Sequence, residues 1–272
     1  MKKLVFWIST ILIFIFWPIS FFLANTQSWL VFVAAASVLI IDWVLYLKGY
    51  KYHYFLYLIL PIIHPTYLVF PLIAVLLNLN HQKKVSLAIY AALLITISLL
   101  SYKTFYTYSI FTPDPLAKDT LIKKISLIPS RNLARVFENK TTVSQEKYKA
   151  NIFLSLDPNN YFFSLHPREI GDNQNLVKYP YLAIIPFLLG LYYILENKHK
   201  RWIIISFIVA ATSISFINNF DRYDLLLYLP ISLLCFYGLK KLASIPNLYF
   251  WAFSFAFIPI SLIELARITV FK

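Results

Sequence analysis

Long, nearly uninterrupted apolar tracts constrain this chain more than any other feature of its sequence. The clearest are Leu4–Leu23, Trp29–Leu47, Val85–Leu100, Trp202–Ile217 and Tyr249–Ile263. Each is close to the length of about 20 residues that a helix needs to cross roughly 30 Å of hydrocarbon. Because a backbone inside lipid must satisfy its own hydrogen bonds, the tracts predict an all-α, multi-pass transmembrane helix bundle. The predicted spans, about seven in number, lie at residues 4–24, 29–47, 85–101, 180–195, 202–217, 225–239 and 249–268.

The composition excludes several classes of protein. Hydrophobic residues make up 60% of the chain, and the formal net charge is +13. In so apolar a chain, Lys and Arg face anionic headgroups and set the orientation in the membrane, so we expect membrane lipids as partners and no nucleic acid.

The single cysteine, Cys235, rules out an intrachain disulfide. The four glycines stand at no spacing typical of a phosphate loop, a dinucleotide fingerprint or a GxxxG helix seam. The richness in Ile, Phe, Tyr, Lys and Asn is typical of an AT-rich prokaryotic genome.

One apolar segment, Tyr54–Leu79, differs from the others because it carries Pro61, Pro65 and Pro71 together with His64. Proline removes a backbone donor and clashes with the preceding turn, so one straight helix is unfavourable here. Two alternatives remain. The segment is either a single kinked span or a re-entrant pair of short helices that is broken near His64 and buried in protein.

Loop charge distinguishes the two alternatives. If the segment crosses once, the Lys and Arg residues of the short loops divide evenly between the two sides. If it turns back, the far side keeps only Arg222, Arg267 and Lys272 of those residues. The cytoplasmic side then holds Lys2, Lys3, Lys48, Lys51, Lys83, Lys84, Lys198, Lys200, Arg201, Lys240 and Lys241. The positive-inside rule favours this second arrangement, which predicts a multi-pass cell-membrane protein with a cytoplasmic N-terminus.

The same topology divides the chain into three parts. They are an N-terminal membrane bundle at 1–101, a small extracytoplasmic domain at 102–178 and a C-terminal membrane bundle at 179–272.

The middle part is predicted to be mainly helical. Apolar residues recur at helical spacing in Leu116–Ser126 and in Arg131–Glu138. Thr142 and Gln145 stand at the spacing of a capping box, which predicts a third helix that runs to about Leu156. The aromatic tract Tyr161–Leu165 follows, and we expect it to pack against the bilayer surface or the spans.

The polar loop between two late spans holds the most pointed group of candidate site residues. Asp221 and Asp224 can bind a divalent cation through their carboxylate oxygens, and Arg222 can hold a phosphate with two hydrogen bonds. The alternative is a short loop that ends two helices, with Asp and Arg paired to each other. The sequence itself specifies no cofactor and no metal site beyond this cation.

Four further residues are candidates for substrate binding. Glu264 and Arg267 stand three residues apart, on one face of the last span, where they either pair with each other or contribute to a site. His166 can act as a base near neutral pH, and Arg168 can bind an anionic headgroup. A solvated loop is the alternative for this second pair.

Asp42 lies in the inner part of the second predicted span. A carboxylate at membrane depth needs a partner, and either His53 or His64 can supply one. Such a carboxylate is either a structural hydrogen-bond acceptor or a member of a proton relay.

The tract Asp221–Leu239, DRYDLLLYLPISLLCFYGL, resembles a late span of polytopic lipid-linked-sugar glycosyltransferases of the GT-C class. That resemblance implies an outward-facing site built from carboxylates and arginines, with a polyprenyl-phosphate-linked donor as substrate. The class also carries an acidic motif in the first outer loop, whereas Asn25–Ser28 of this chain has no carboxylate.

Three functions therefore stay open. The first is a membrane transferase that uses a lipid-linked donor. The second is a non-enzymatic assembly or scaffold subunit with a membrane protein partner. The third is a transporter built on Asp42, His64 and the proline-broken segment.

Overall fold

The computed structural model of the protein describes residues 1–23, 29–78, 84–112, 115–130, 139–163, 177–197, 199–218 and 224–270. This part of the chain is helical and has no β-strand, only an isolated bridge between Ser109 and Ile217, which confirms the predicted all-α class. The α-helices, numbered in chain order, are α1 Lys2–Leu23, α2 Trp29–Leu47, α3 Leu60–Ile63, α4 Val69–Asn78, α5 Lys84–Tyr108, α6 Pro115–Ser126, α7 Lys140–Leu156, α8 Asn159–Phe162, α9 Ile184–Tyr193, α10 Lys200–Ser215, α11 Tyr228–Ser244 and α12 Asn247–Val270. Short 3₁₀ helices flank some of them, at His53–Ile59, Pro65–Leu68, Tyr181–Ala183, Ile194–Glu196 and Asp224–Leu227.

Within these ranges, 5 helices are long and apolar enough to cross a membrane, as expected of an integral membrane protein. They are α1, α2, α5, α11 with its preceding 3₁₀ turn, and α12. The predicted spans at 180–195 and 202–217 correspond to the shorter helical stretches Tyr181–Glu196 and Lys200–Ser215. The count of seven spans therefore stays a prediction.

The apolar surface of α5 is compatible with a membrane environment. Only 6% of the most apolar stretch of α5 is buried within the protein, whereas 78% of the corresponding stretch of Asp224–Ser244 is buried. An apolar helix with so little protein around it would expose a large hydrophobic area to water, which is unfavourable. The composition of α5 is thus suited to a hydrocarbon environment.

The chain forms two compact units, each built from segments that are distant in sequence. The first comprises Met1–Ile41, Asp157–Ile208 and Leu225–Lys272, and the second comprises Asp42–Leu156 and Val209–Asp224. The predicted division at 101 and 178 concerns the position of each part relative to the bilayer, and it stays a prediction.

In the first unit, α9 and α11 approach each other closely through two glycines. A Cβ atom on Gly190 would collide with the main-chain carbonyl of Leu234, and one on Gly238 would collide with that of Pro186. Small residues at such a contact let two helix backbones come together. The seam takes one glycine from each helix, so no GxxxG spacing within a single helix indicates it.

An aromatic cluster forms the core of the first unit. Trp17 of α1 is fully buried, and its ring contacts Phe32, Tyr161, Tyr179 and Tyr228. The contact with Tyr161 confirms that the start of the predicted aromatic tract packs against a span. Residues 164 and 165 of that tract lie outside the described residues.

The proline-broken segment belongs to the second unit, and its prolines determine where its short helices begin. Pro61 and Pro65 each lie in the first turn of a short helix, where a missing N–H costs little. Between them, His64 is extended, with φ −151° and ψ 129°, because a residue that precedes proline is driven out of the helical region. The result is two short helical arms with a break at His64.

The two arms contact each other and share a neighbour on α5. The rings of Tyr57 and Phe70, one from each arm, lie 5.1 Å apart. Tyr90 of α5 contacts the ring of Tyr54 at 5.4 Å and donates from its hydroxyl to the carbonyl oxygen of Pro71 at 3.1 Å. Both arms therefore meet α5 near the same level.

Within the described residues, the middle part holds the end of α5, the helices α6 and α7 and the short α8, and α6 and α7 agree with two of the three predicted helices. The third, Arg131–Glu138, lies outside the described residues. The helix α7 begins two residues before the predicted cap, because Asn139 supplies the cap through its Oδ1, which accepts from the main-chain N–H of Thr142 at 3.0 Å. The predicted capping box was therefore wrong about the capping residue and right about the helix.

Candidate functional site

The predicted site residues fall into two groups. Asp221, Arg222, His166 and Arg168 lie outside the described residues, so their predicted roles stay predictions. Asp224, Glu264 and Arg267 are described, the first in the second unit and the other two in the first unit.

Asp224 is wholly buried, with 0% of its surface exposed. It is the first residue of the 3₁₀ turn Asp224–Leu227, which continues into α11. Moving a carboxylate out of water costs on the order of several kcal/mol unless specific interactions compensate for the lost hydration. A buried acid at the end of a polar loop is therefore a specialised position, although the structure by itself assigns it no chemistry.

The polar loop that precedes Asp224 is anchored through Asn218. The main-chain N–H of Asn218 donates to the carbonyl oxygen of Tyr108 at 2.9 Å, and its Nδ2 donates to those of Ser109 and Thr112 at 2.7 and 3.0 Å. Lys147 of α7 donates from Nζ to Asn218 Oδ1 at 3.2 Å. One residue thus joins the loop to the C-terminal end of α5 and to α7.

A second asparagine, Asn151, fixes α7 at the same place. Its Nδ2 donates to the carbonyl oxygens of Ser215 and Ile217 at 3.0 and 2.8 Å. These carbonyls lie at and just beyond the C-terminal end of α10, where a helix has no internal donors left. Asn151 therefore completes the end of α10 and attaches α7 to it.

Ring contacts support this attachment. Tyr148 of α7 lies with its ring 4.8 Å from that of Phe216. Partial burial raises the pKa of the Tyr148 phenol above its ordinary value, so the group stays neutral at physiological pH. The contacts of Tyr148, Asn151 and Lys147 thus attach α7 to residues 215–218, at and just beyond the end of α10.

Sequence reasoning did not find the anchoring role of either asparagine. Asn218 opens the polar group 218–224 that holds the candidate carboxylates, and Asn151 stands in no motif. An asparagine in a polar segment usually indicates a turn or an exposed position. The only signal is that Asn151 lies among residues at helical spacing, where an asparagine is unfavourable without a specific partner.

Among the described residues, no salt bridge joins Glu264 to Arg267, although their spacing allows one. Glu264 is half-buried, and its Oε2 accepts from the main-chain N–H of Tyr181 at 3.3 Å, at the start of the 3₁₀ turn before α9. Arg267 is exposed. Glu264 thus accepts a hydrogen bond from the main chain, and the predicted site roles of Glu264 and Arg267 stay predictions.

Asp42 contacts one of its two predicted histidine partners. His53 Nδ1 lies 2.6 Å from Asp42 Oδ1, and the Tyr57 hydroxyl donates to Asp42 Oδ2 at 2.6 Å. His64 lies elsewhere, with Nδ1 2.8 Å from the Thr66 hydroxyl and its ring 5.7 Å from that of Tyr108. The expectation of a histidine partner is confirmed for His53.

Sequence reasoning also missed a buried cation in the first unit. Lys178 is 1% exposed, and its Nζ lies 5.6 Å from the ring centre of Trp17 and 5.3 Å from that of Tyr161. Aromatic faces attract a cation when water is excluded. The lysine thus belongs to the aromatic core of the first unit.

The donor groups of the part of the chain that the structure describes form no cluster of three His, Cys, Asp or Glu residues that could hold a metal ion. A cation held by Asp221 and Asp224 would depend on a residue outside that part, so it stays a prediction. No family model, no curated protein and no solved structure matches the chain.

Proposed function

We propose that the chain is a multi-pass membrane transferase, similar to the GT-C class, that acts on a polyprenyl-phosphate-linked donor at the membrane face of the loop 218–224. The observation that carries the proposal is the complete burial of the Asp224 carboxylate at the end of a loop that Asn218 anchors on one side. A transferase needs such a fixed acidic group beside a segment that can receive substrate.

In this proposal, Asp221 and Asp224 hold a divalent cation and Arg222 binds phosphate oxygens. Charge that develops on a phosphate leaving group is stabilised by a metal ion or by arginine, which is where the largest catalytic gains arise. Substrate-binding roles for His166, Arg168, Glu264 and Arg267 stay predictions.

The activity test uses the purified full chain in lipid vesicles with a polyprenyl-phosphate sugar as donor. Asp224→Asn keeps the shape of the side chain and removes its charge, so transfer should fall by about 10²–10⁴-fold while the melting temperature stays unchanged. The matched control is Asp119→Asn, which changes an exposed carboxylate on α6 of the same unit. Equal activity in the two variants, or a loss of folding in the Asp224 variant alone, would contradict the proposal.

We also propose seven spans and a re-entrant segment at 54–79, with the N-terminus in the cytoplasm. The proline break at His64, the contact of both arms with Tyr90 and the distribution of loop charge support this topology. Single cysteines at positions 51 and 82, in a Cys235→Ser background, should both react with an impermeant reagent from the cytoplasmic side. Reaction from opposite sides would show that the segment crosses.

A second candidate function, an assembly subunit, is favoured by the outer face of α7. Its buried residues Asn151 and Ser155 are polar, whereas Phe153 and Leu156 are 73% and 50% exposed. An extramembrane helix that presents apolar side chains outward is suited to a protein partner or the bilayer surface. A photocrosslinking residue at position 153 should yield a protein adduct if the chain is an assembly subunit, with position 149 as the exposed control on the same helix. Adducts with lipid alone would oppose this function.

A further inference from the structure

The cluster formed by Asp42, His53 and Tyr57 lies outside the proposed transfer site, yet its geometry is the most specific in the second unit. Asp42 is 0% exposed and stands in α2, a helix apolar enough to cross a membrane. Each carboxylate oxygen has its own short contact, Oδ1 with His53 Nδ1 and Oδ2 with the Tyr57 hydroxyl, both at 2.6 Å. Ionisable groups at such positions are costly and are frequently functional.

The contact with Asp42 determines which nitrogen of His53 carries the proton. When Asp42 is ionised it can only accept, so neutral His53 must hold its proton on Nδ1. The lone pair then lies on Nε2. The His53 side chain is 18% exposed, and no hydrogen bond to Nε2 comes from the part of the chain that the structure describes. A buried acid is thus connected, through one imidazole ring, to a basic nitrogen at the border of the unit.

We infer that Asp42 and His53 form a proton-exchange site whose ligand is a proton taken from the aqueous phase. Water delivers the proton to His53 Nε2, and the proton on Nδ1 passes to Asp42 Oδ1. His53 ends neutral with its proton on Nε2, Asp42 ends as a neutral carboxylic acid, and the cluster gains one proton and one positive charge. The Tyr57 hydroxyl donates to Oδ2 before and after the transfer.

The surroundings of the cluster leave the carboxylate and the imidazole as its exchanging groups. Tyr46 of α2 contacts the His53 ring at 5.6 Å, Tyr54 contacts it at 6.3 Å, and Tyr90 of α5 contacts Tyr54 at 5.4 Å. Each of these neighbours contributes a phenol rather than a carboxylate, an imidazole or an ammonium group. Phe70, from the second arm, brings no titratable group. Lys48 and Lys51, in the connection between α2 and the first arm, are exposed.

The position of the cluster also separates it from the proposed transfer site. Tyr90 lies near the N-terminal end of α5, whereas Tyr108, which binds Asn218, lies at the C-terminal end. Eighteen residues of α-helix separate these two tyrosines, which corresponds to about 27 Å. The proton site can therefore operate without the transferase reaction, and each proposal can fail without the other.

The test follows the protonation of Asp42 directly in the full chain in lipid vesicles. Infrared difference spectra between alkaline and acidic buffer should show the carbonyl band of a protonated carboxylic acid, and the band should be absent in Asp42→Asn. In His53→Gln the band should appear at least tenfold more slowly after a pH jump, because the relay nitrogen is gone. Asp119→Asn, which alters an exposed carboxylate, should leave the Asp42 band unchanged.

A second measurement needs no variant and remains valid if a substitution prevents folding. Nitrogen-15 spectra of histidine-labelled protein should show His53 change from the Nδ1–H to the Nε2–H tautomer as the acid band appears. If His53 keeps one tautomer and no buried acid titrates between pH 4 and pH 9, Asp42 is a structural acceptor only and the inference is wrong. An acid band whose rate is the same in His53→Gln would also overturn the relay.

Discussion

The side-chain amide of Asn151 lies 2.8 Å from the carbonyl oxygen of Ile217, to which it donates. The same amide reaches the carbonyl of Ser215, so one residue of α7 completes the end of α10. Asn151 is 1% exposed, and water cannot easily replace it. The attachment of α7 therefore depends on two hydrogen bonds from a single side chain.

Replacing Asn151 should destabilise the protein more than its small size suggests. Asn151→Leu leaves two carbonyl oxygens without their donor, and each unsatisfied buried group costs about 1–3 kcal/mol. We expect the melting temperature in detergent to fall by several degrees. The matched control, Gln145→Leu, changes an exposed amide on the same helix and should leave it unchanged. Equal melting temperatures for both variants would show that the amide contributes little.

The glycine seam of the first unit gives a prediction of overpacking. Gly238→Ala places a methyl group against the Pro186 carbonyl, and Gly190→Ala places one against that of Leu234. Backbone atoms cannot move aside as a flexible side chain can, so each change should cost about 1–3 kcal/mol or more. Thermal unfolding in detergent measures the loss.

The control for the seam is Gly49→Asn. Gly49 has a φ of 77° and open space around it, and asparagine tolerates that left-handed conformation better than other residues. This variant should unfold within a few degrees of the unmodified protein. A seam that accepts alanine as easily as Gly49 accepts asparagine would mean that α9 and α11 can separate at little cost.

The Tyr179 hydroxyl gives a prediction about the aromatic core. It lies 2.9 Å from the carbonyl oxygen of Tyr228, to which it donates, and 2.8 Å from the Ser232 hydroxyl. Tyr179→Phe keeps the ring and removes both contacts, so stability should fall by about 1–2 kcal/mol. Tyr181→Phe, at a position that is 40% exposed, is the control and should change stability little. A fully stable Tyr179→Phe protein would contradict this account.

The surface pair of the middle part should contribute little. Lys124 Nζ lies 3.1 and 3.0 Å from the two carboxylate oxygens of Glu146, joining α6 to α7, but both side chains are well exposed. Exposed pairs typically contribute about 0–1 kcal/mol, and salt screens them. Glu146→Gln should therefore shift the unfolding free energy by less than about 1 kcal/mol. A larger loss that disappears in high salt would show that this pair holds α6 in place.

Some of the candidate site could be predicted from the sequence. Asp42 was expected to need a histidine, since an unpartnered carboxylate at membrane depth is costly. The choice between His53 and His64 could not be made, because it depends on how the chain turns after α2. Glu264 and Arg267 were expected either to pair with each other or to contribute to a site. The structure shows that Glu264 accepts a hydrogen bond from a main-chain N–H 83 residues away in sequence, which no local spacing indicates.

The sequence by itself determined the all-α class, the apolar helices and the break at His64. Each follows from a local cause: the hydrogen-bond requirement of a backbone in lipid, side-chain hydrophobicity and the geometry of proline. The tertiary structure alone decided the seam of Gly190 and Gly238, the attachment of α7 through Asn151 and the burial of Lys178 among aromatic rings. These relationships join residues far apart in the chain, so they depend on packing that local pattern does not specify.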